Sequence, residues 1–586
     1  MNERSQGDWI ERAEPHYDVV ICGGGLAGST LARQLKLTSS DIAVLMLDKL
    51  EYPVPVAAHK VGESSVEIAG FYFADVLRLR AHMDAHHLPK HGLRYFWNGG
   101  ESDFARRPEV GLSDYTPCPS YQIDRGKFEN ELFALNTAAG VTIAQGASVE
   151  DIRLNPAAGH EVVYRDAGGI ERRVSARWVT DAMGRRLFLQ RKLDLHREIP
   201  GGFNAVWFRV RGQLDVGDFV PAGQEEWHAR VPGRKRYHST NHLMGQGYWI
   251  WLIPLGSGNT SVGIVTEERF HDFAQFADLE RALQWIAEHD PATRAQLDGR
   301  EFMDFVSVRK FNYSTAQVFS LDRWACIGEA AAFSDPFYSP GSNLIAFENS
   351  IVTHLVGQDS AGRLSEDDVR FFNEFVISHN DWLDYNIHSA YAYFGEPLVM
   401  SMAFLWDAVV GWGVAAPQMF NSIYLDRGTR AKVHGALGDF YALALQVKRL
   451  LIDWGQSSEG RLTFDFIDYY NVPFVNQVYA RNLRPGKPVE ELVADHRATL
   501  RTLEEFAQAI FLVAIEDTMP WQLSRFRDPV WIDAWAVGLD PGRWEADGLF
   551  RPRTEPRDLG PLLAQVKGLY RPRTSERESV AIDLDL

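Results

Sequence analysis

The chain has 586 residues, of which 45% are hydrophobic, and it carries a formal net charge of -18 at pH 7. This length can bury a core for roughly two or three domains, and the charge argues against nucleic acid or an anionic membrane as partner, since both attract basic surfaces. The 3 cysteines form neither a disulfide framework nor a zinc spacing, which fits a reducing cytoplasm. The start of the chain is charged and lacks the apolar core of a signal peptide, so we expect a cytoplasmic protein.

The first predicted element is a strand that turns directly into a helix. The apolar run YDVVIC, residues 17–22, ends in GGGLAG, and the following STLARQLK has helical spacing. Gly23 permits the tight turn, Gly25 lets a diphosphate approach the backbone, and Gly28 lets the helix pack closely on the strand. The next apolar run ends at a carboxylate suited to ribose hydroxyls. The predicted nucleotide contacts are Gly23, Gly25, Leu26, Ala27, Gly28, Asp48 and Lys49.

Two later segments favour FAD over NAD as the nucleotide. YQIDRGKF, residues 121–128, resembles the helix start that brings an arginine, here Arg125, to the flavin in FAD enzymes. After the strand-like WVTDAMG, Asp181 and Gly184 resemble the D-x-x-G turn that many FAD enzymes place against the adenine half. Together with the first motif, these segments predict an FAD site.

The run GYWIWLIP predicts a strand with two large indoles on one face. Trp249 and Trp251 are two residues apart, so both side chains point to the same side of the strand. Alternating indoles are usually core residues, but the Ile253-Pro254 ending completes the uncommon pattern W-x-W-x-I-P. Because residues 190–300 are rich in aromatic and β-branched runs, we predict a sheet there that walls the flavin.

The segment ACIGEAAAFSDPFYSPGSN, residues 325–343, resembles the place where FAD enzymes end a strand at Gly-Asp. A turn rich in Pro and Gly then passes beside the isoalloxazine ring. Glu329 replaces the usual Asp in this chain, and we expect its extra methylene to change how the ribityl chain is held. The predicted FAD contacts here are Gly328, Glu329, Gly341, Ser342 and Asn343.

The fold class that these patterns predict is α/β. We expect a Rossmann-type FAD-binding domain over residues 15–364, into which the sheet of residues 190–300 is inserted, after an N-terminal tail of residues 1–14. Long helical periodicities predict a helical C-terminal region over residues 365–570, and residues 571–586 are predicted to be a mobile tail.

The longest apolar stretch is MSMAFLWDAVVGWGVAAP, residues 400–417, within the helical region. It contains Asp407 and ends at Pro417, so it predicts a buried helix rather than a membrane span. The cluster of His86, His87 and His91 lacks a carboxylate or a second cluster at ligand spacing, and we therefore predict no metal site.

The glycine motif and the W-x-W-x-I-P pattern together resemble the flavin-dependent halogenases, over most of residues 17–420. In that family reduced FAD and oxygen convert a halide into hypohalous acid, which reaches an essential lysine through an internal tunnel. The two tryptophans, matched here by Trp249 and Trp251, are thought to keep the substrate from the flavin. The resemblance implies FAD as cofactor and chloride or bromide as co-substrate. No second G-x-G-x-x-G follows a strand, so a separate flavin reductase, or a nicotinamide that binds transiently, is expected to supply the electrons.

The essential lysine has two candidates in this chain. LPKHGLRYFW resembles the lysine segment that follows the GES turn of Gly62 to Ser64, which makes Lys90 the first candidate and Lys60 the second. Lys90 is useful only if its amine faces an apolar tunnel, where desolvation lowers its pKa. The alternative is an ordinary solvated lysine in a loop among histidines.

The resemblance places the halide in the turn of Ser339, Pro340, Gly341 and Ser342, held chiefly by backbone N–H groups. Pro340 has no N–H to donate, so we expect weak halide binding and better turnover with bromide than with chloride. Tryptophan halogenases carry Glu-Ser where this chain has Tyr338 and Ser339, which argues against free tryptophan as substrate. The organisation looks closest to the pyrrole and phenol halogenases. It implies a small electron-rich aromatic substrate, free or tethered to a carrier protein, in specialised metabolism such as antibiotic biosynthesis.

Other functions remain open at this point. A flavin monooxygenase, or another flavin oxidoreductase of this fold, would need no halide, and a non-catalytic flavoprotein could use the helical region to bind a partner. No general base is assigned, because Glu329 and Glu348 could equally be structural hydrogen-bond acceptors.

Overall fold

The computed structural model describes residues 15–56, 60–101, 103–526 and 530–573. The predicted N-terminal tail, residues 1–14, and most of the predicted mobile tail, residues 574–586, lie outside this described part.

Helices dominate the C-terminal half of the described chain. In chain order the α-helices are α1 Leu26–Thr38, α2 Glu67–Phe71, α3 Arg80–His86, α4 Arg125–Ala138, α5 Phe188–Lys192, α6 Glu225–Ala229, α7 Leu279–His289, α8 Pro291–Leu297, α9 Gly341–Ser360, α10 Glu366–Ala390, α11 Pro397–Val410, α12 Ala416–Phe420, α13 Arg427–Leu437, α14 Phe440–Ser457, α15 Pro473–Asn482, α16 Val489–Thr518 and α17 Gly560–Lys567.

Strands are concentrated before residue 330. In chain order they are β1 His16–Cys22, β2 Val44–Leu47, β3 Leu88–Pro89, β4 Leu93–Trp97, β5 Glu109–Gly111, β6 Tyr121–Gln122, β7 Thr142–Ala144, β8 Ser148–Arg153, β9 His160–Arg165, β10 Glu171–Asp181, β11 His196–Glu198, β12 Phe203–Val210, β13 Thr240–Gly245, β14 Tyr248–Pro254, β15 Thr260–Glu267, β16 Val306–Val308, β17 Tyr313–Thr315, β18 Trp324–Cys326, β19 Leu462–Thr463, β20 Phe466–Asp468 and β21 Arg571–Pro572.

The first large sheet has the predicted Rossmann-type core. Its strands run in the order β7-β2-β1-β10-β9-β8, and β18 pairs with the C-terminal end of β10. β1 is parallel to both β2 and β10, and its residues Val19 to Cys22 are fully buried. A continuous apolar run of this kind is typical of a parallel strand that is covered on both faces. The carboxyl ends of these strands therefore meet at one edge, where a nucleotide binds in such sheets.

The second large sheet has eight strands in the order β16-β12-β15-β14-β13-β4-β5-β20. Strands β12 to β15 lie in the predicted segment 190–300, whereas β4, β5, β16 and β20 come from outside it. β14, which carries both tryptophans, lies in the middle of the sheet and pairs antiparallel with β13 and β15. The two indoles therefore occupy a central position.

The C-terminal region from α10 onward is helical, with three short strands. One of these strands, β20, pairs with β5 and forms the edge of the second sheet. Among the described residues one helical segment, Pro397–Phe420, is long and apolar enough to cross a membrane, and 67% of its apolar window is buried within the protein. That burial agrees with the predicted buried helix.

Candidate active site

A cavity of about 580 Å³ is enclosed by turns of the first sheet and by strands of the second sheet. It begins at the turn between β1 and α1 and ends at β14 and the turn that precedes α9. The predicted site residues that line it are Gly23, Gly25, Leu26, Ala27, Asp48, Lys49, Arg125, Gly184, Trp249, Trp251, Gly328, Glu329, Ser339, Gly341 and Ser342. The residues that line it do not include Gly28, Lys90, Asp181, Pro340 or Asn343.

The glycine motif has the geometry that a dinucleotide requires. Gly23 has φ +114°, and an added Cβ would lie 2.3 Å from the carbonyl oxygen of Ala182. An added Cβ at Gly28 would lie 1.9 Å from the carbonyl oxygen of Gly23, whereas at Gly25 it would meet nothing within 4 Å. The first and third glycines are thus needed for packing, and the second leaves open space above the N-terminus of α1, where a phosphate is stabilised.

Asp48 follows β2 and lines the cavity, as predicted for a ribose contact. Its carboxylate accepts hydrogen bonds from the hydroxyl of Tyr52, at 2.9 Å, and from the backbone N–H of Leu50, at 3.1 Å. Burial raises the pKa of Asp48, and these two hydrogen bonds oppose the shift. Tyr52 also donates to the carbonyl of Gly24 at 2.9 Å, so it joins the carboxylate to the glycine turn.

Arg125 lies at the start of α4 and faces the cavity. It donates to Glu129 at 2.6 Å and to the carbonyl of Val61, while its buried Nε has no partner among the described residues. Lys60 pairs with the same Glu129, and its side chain is 30% exposed. Lys60 is therefore an ion-paired residue of the cavity wall and not an amine in an apolar tunnel.

Asp181 and Glu348 hold backbone turns from outside the cavity. Asp181 accepts hydrogen bonds from the N–H groups of Met183, at 3.0 Å, and Leu189, at 2.9 Å, and burial raises the pKa of Asp181 to about 6. These bonds support the turn that presents Gly184 to the cavity. Glu348 accepts the N–H of Gly328 at 2.6 Å, and burial raises the pKa of Glu348 to about 8.

Glu329, the residue that replaces the usual Asp, lines the cavity. Burial raises its pKa, and the positive charges of Arg185 and Arg125 oppose this shift.

The turn before α9 consists of two residues in the left-handed conformation, Tyr338 with φ +67° and Ser339 with φ +56°. Pro340 is the N-cap residue, and α9 begins at Gly341. The first N–H groups of a helix have no acceptor within the helix and carry its positive dipole end. Gly341 and Ser342 both line the cavity, so these donors lie at its wall. The side chain of Asn343 instead accepts the N–H of Ala69 at 3.1 Å.

The two tryptophans of β14 lie on the face of the second sheet that borders the cavity. Their ring centroids are 5.6 Å apart, and both residues are buried. Trp251 donates to Ser261 at 3.1 Å, and Trp249 donates to the hydroxyl of Tyr391 at 3.0 Å. Because both indole N–H groups are satisfied, the rings have fixed orientations.

Lys90 is only 2% exposed, so the alternative of a solvated loop lysine is wrong. Its amine donates to the hydroxyl of Ser64 at 2.7 Å and to the carbonyl of Ser65 at 2.8 Å. Burial lowers the pKa of Lys90, and the nearby carboxylate of Glu67 opposes this shift. The Ser64 hydroxyl also accepts from Ser339 at 2.8 Å. The side chain of Ser64 thus connects Lys90 to the turn that precedes α9.

Comparison with known proteins identifies the nucleotide-binding part of the chain. Residues 16–347 match the family model described as FAD binding domain, which is more than half of the chain. The chain belongs to this family. The match confirms the predicted FAD-binding domain and FAD as the cofactor.

The relatives of this chain include flavin-dependent halogenases. The flavin-dependent halogenase chlA of Dictyostelium discoideum is 28% identical over 373 residues, which cover 58% of this chain and 60% of that relative. The 1H-pyrrole-2-carbonyl-[peptidyl-carrier protein] chlorinase of Pseudomonas fluorescens is 27% identical over 346 residues, covering 56% of this chain and 72% of the relative. These matches confirm the resemblance stated from the motifs.

Among solved structures, the halogenase PltM shares the fold. It superposes with a TM-score of 0.59 at 17% identity, covering 84% of this chain and 96% of PltM. The superposition extends beyond the FAD binding domain, so part of the helical region is also common to the two folds.

The residues that line the cavity fit FAD. The open space above Gly25 suits a diphosphate, and the Asp48 carboxylate suits ribose hydroxyls. The buried Nε of Arg125 is a donor that has no hydrogen-bond partner in the part of the chain that the structure describes. The apolar wall at Trp249 and Trp251 suits a flat ring system.

Four residues of this site were not predicted from the sequence: Tyr52, Ser64 as the partner of Lys90, His242 and Tyr391. His242 lines the cavity and pairs with Trp251 across β13 and β14, and burial lowers its pKa to about 3, which keeps the imidazole neutral. Side chains of β13 alternate between the two faces of the sheet, and β13 pairs with the tryptophan strand β14. This alternation is the one sequence signal that could have pointed to His242. Ser64 lies in the GES turn, but only the folded structure shows its bond to Lys90.

Proposed function

We propose that the chain is an FAD-dependent halogenase that uses reduced flavin, oxygen and chloride or bromide to halogenate an electron-rich aromatic compound. The observation that carries this proposal is the connection between the buried Lys90 and the turn before α9, through Ser64. A monooxygenase of the same fold has no need to join a desolvated amine to an anion-binding helix terminus.

The halide is held at the N-terminus of α9. Gly341 and Ser342 are the first residues of α9 and line the cavity, and a helix N-terminus favours an anion. Pro340 offers no N–H, so the halide has fewer donors than a turn without proline would provide. A buried anion that lacks partners is costly, and this favours bromide, which loses its water more easily than chloride.

Reduced FAD supplies the activation of oxygen that converts the bound halide into an electrophilic halogen. The residues of this chain separate that chemistry from the substrate. Trp249 and Trp251 form a fixed apolar wall, which excludes water from the cavity and keeps an aromatic substrate away from the flavin.

Lys90 holds the electrophilic halogen near the substrate. Because its amine is buried, its neutral form is more populated than that of an exposed lysine. The neutral amine can hydrogen-bond hypohalous acid, or it can take the halogen from it as the halogen–oxygen bond breaks and the leaving hydroxide takes the amine proton to form water. The bonds to Ser64 and Ser65 fix the position of the amine.

The proposed substrate is a pyrrole or a phenol, free or tethered to a carrier protein. Two relatives support the tethered form by their names, the pyrrolyl carrier-protein chlorinase of Pseudomonas fluorescens and the corresponding brominase of Pseudoalteromonas luteoviolacea, which is 28% identical over 331 residues. Tyr338 stands where tryptophan halogenases have a glutamate, which argues against free tryptophan. A separate flavin reductase is the proposed electron source.

The test is an assay of the purified protein with FAD, a flavin reductase, NADH and bromide against phenols, pyrroles and carrier-bound pyrroles. Mass spectrometry should show the paired isotope pattern of a brominated product, and the product should disappear without bromide. Oxygenated product in the absence of halide, with no brominated product in its presence, would overturn the proposal and favour a monooxygenase.

A further inference from the structure

The turn before α9 is conformationally unfavourable for its sequence. Tyr338 and Ser339 are consecutive non-glycine residues with positive φ, at +67° and +56°. Left-handed conformations at non-glycine residues persist only where surrounding contacts impose them. The contacts that hold these two residues therefore determine where α9 begins and where its first N–H groups point.

Each of the two residues has a hydroxyl anchor. Ser339 donates to Ser64 at 2.8 Å, which holds the turn to the GES segment of the FAD binding domain. Tyr338 donates to Asp407 of α11 at 3.0 Å, which holds the turn to the helical region. The turn is thus fixed from two sides by different parts of the chain.

Asp407 is the one acidic residue of the apolar stretch 400–417, and its carboxylate interacts with Asn386 of α10 as well as with Tyr338. Burial raises the pKa of Asp407, and the positive charge of Lys448 on α14 opposes this shift. Lys448 is itself 2% exposed and donates to the hydroxyl of Tyr393 at 2.8 Å and to the carbonyl of Asn386 at 3.1 Å. A buried carboxylate with this support is a fixed acceptor for Tyr338.

We propose that Tyr338 and Asp407 are positioning residues for the halide, an assignment that rests on the proposed halogenase function. The hydrogen bond between them fixes the left-handed turn, and the turn aims the N–H groups of Gly341 and Ser342 at the halide. The helical region thereby sets halide affinity without touching the halide or the flavin.

This proposal separates halide binding from FAD binding. The proposed FAD contacts at Gly25, Asp48 and Arg125 lie in other segments of the cavity wall, so we expect them not to depend on Tyr338. A halide held by few N–H groups is sensitive to their direction, because hydrogen bonds weaken steeply as their angle departs from linear. Loss of the hydrogen bond from Tyr338 to Asp407 should therefore weaken halide binding and leave FAD binding nearly unchanged.

The test compares Tyr338→Phe with Tyr570→Phe. Tyr570 also donates to a carboxylate of the helical region, Glu516, at 2.8 Å, and it is the matched control because it lies outside the site. Bromide is titrated into the FAD-loaded, oxidised protein, and binding is followed by the flavin absorbance. We expect the bromide Kd of Tyr338→Phe to rise about threefold to tenfold, the size expected for one lost hydrogen bond, and Tyr570→Phe to match the wild type.

Further measurements distinguish positioning from general stability. For Tyr338→Phe the KM for bromide should rise by the same factor as the Kd, while kcat at saturating bromide and the Kd for FAD stay within about twofold of the wild type. Tyr338→Gly should also bind bromide weakly, although glycine adopts this backbone conformation without strain. Crystals of the wild type and of the Tyr338 variants are then soaked in bromide. The wild type should show an anomalous bromide peak at Gly341, and Tyr338→Phe and Tyr338→Gly should show the same peak at reduced occupancy.

The outcomes separate this inference from the proposed function. If the wild type shows no saturable bromide effect and no anomalous peak, the halide site itself is absent and both proposals are wrong. If the wild type binds bromide and Tyr338→Phe binds it equally well, the positioning role alone is overturned. If Tyr338→Phe lowers the FAD affinity, the melting temperature and the bromide affinity together, the positioning role is also overturned, since that pattern indicates a purely structural residue.

Discussion

The two ends of the cavity are built in different ways. The nucleotide end is formed by backbone turns, in which Gly23, Gly25 and Gly28 are close in sequence and act through the absence of a side chain. The other end, which we call the lysine end because Lys90 lies next to it, is formed by side chains from separate segments, among them Ser64 and Ser339. A local backbone motif makes the first end, and long-range hydrogen bonds make the second.

The largest expected effect is the loss of FAD binding at the nucleotide end. Gly28→Trp places a Cβ where the Gly23 carbonyl already lies, so we expect loss of both FAD and thermal stability. Gly25→Trp fills only open space, so the protein should fold but bind FAD about a hundredfold or more weakly. Flavin absorbance after desalting and a thermal melt measure the two properties. Wild-type absorbance in Gly25→Trp would show that the assigned site is wrong.

The next effect is a change at the lysine end that leaves the function of the nucleotide end intact. Lys90→Met should abolish halogenated product and leave the oxygen-dependent reoxidation of flavin nearly intact, because the amine lies behind Ser64 and not in the FAD cavity. Lys60→Met is the matched control, and its product yield per bound flavin should equal that of the wild type. Product should be followed by mass spectrometry and reoxidation by stopped-flow absorbance. If Lys60→Met is inactive while Lys90→Met is active, the role belongs to Lys60.

A smaller effect concerns the N-cap of α9. Pro340→Ser restores an N–H at the turn, and one additional charge-assisted hydrogen bond should tighten chloride binding by about tenfold. The ratio of bromide to chloride turnover should fall accordingly. The measurement is the chloride KM at fixed reductase and substrate. An unchanged KM would mean that the N–H of residue 340 does not face the halide.

The smallest effect is on stability and its pH dependence. Burial raises the pKa of Glu348 to about 8, whereas the carboxyl of the unfolded chain titrates near ~4.3. Between these values the folded state binds more protons than the unfolded state, so the wild type loses stability as pH rises through this window.

Glu348→Gln keeps an acceptor for the N–H of Gly328 and removes this ionisation. Relative to the wild type, its melting temperature should therefore rise by about a few degrees between pH 5 and pH 8. FAD affinity and product should not change. A loss of product with normal folding would instead make Glu348 a participant in the reaction.

The difference between the two ends also explains what could be predicted from the sequence. The roles of Gly23, Gly25 and Gly28 follow from local rules, so the first sheet and FAD as the cofactor were correctly predicted, while the individual FAD contacts stay predictions. The match of residues 16–347 and the geometry at each glycine agree with that prediction. Fixed spacing within one strand likewise placed Trp249 and Trp251 on one face.

The lysine end could be predicted only in part. Lys90 was identified by resemblance, but its partner Ser64 depends on how the GES turn packs against the segment after β3. The anchor of Tyr338 on Asp407 joins two residues that are distant in the chain, and no local pattern indicates such a pairing. Asp181 was predicted as a cofactor contact, and the structure places it behind the turn that it supports. Its direct contact with FAD therefore stays a prediction.

The edge position of β20 has a consequence for how the chain is made. β5 is translated early, yet its neighbour β20 follows more than 350 residues later, after α14, so the edge of β5 stays unpaired until Phe466 to Asp468 leave the ribosome. An open edge is a template for aggregation, and contacts so distant in sequence form slowly. A fragment that stops at residue 364 should therefore aggregate during expression, although it contains the whole FAD binding domain match. Synthesis of the helical region is thus a condition for pairing the free edge of β5.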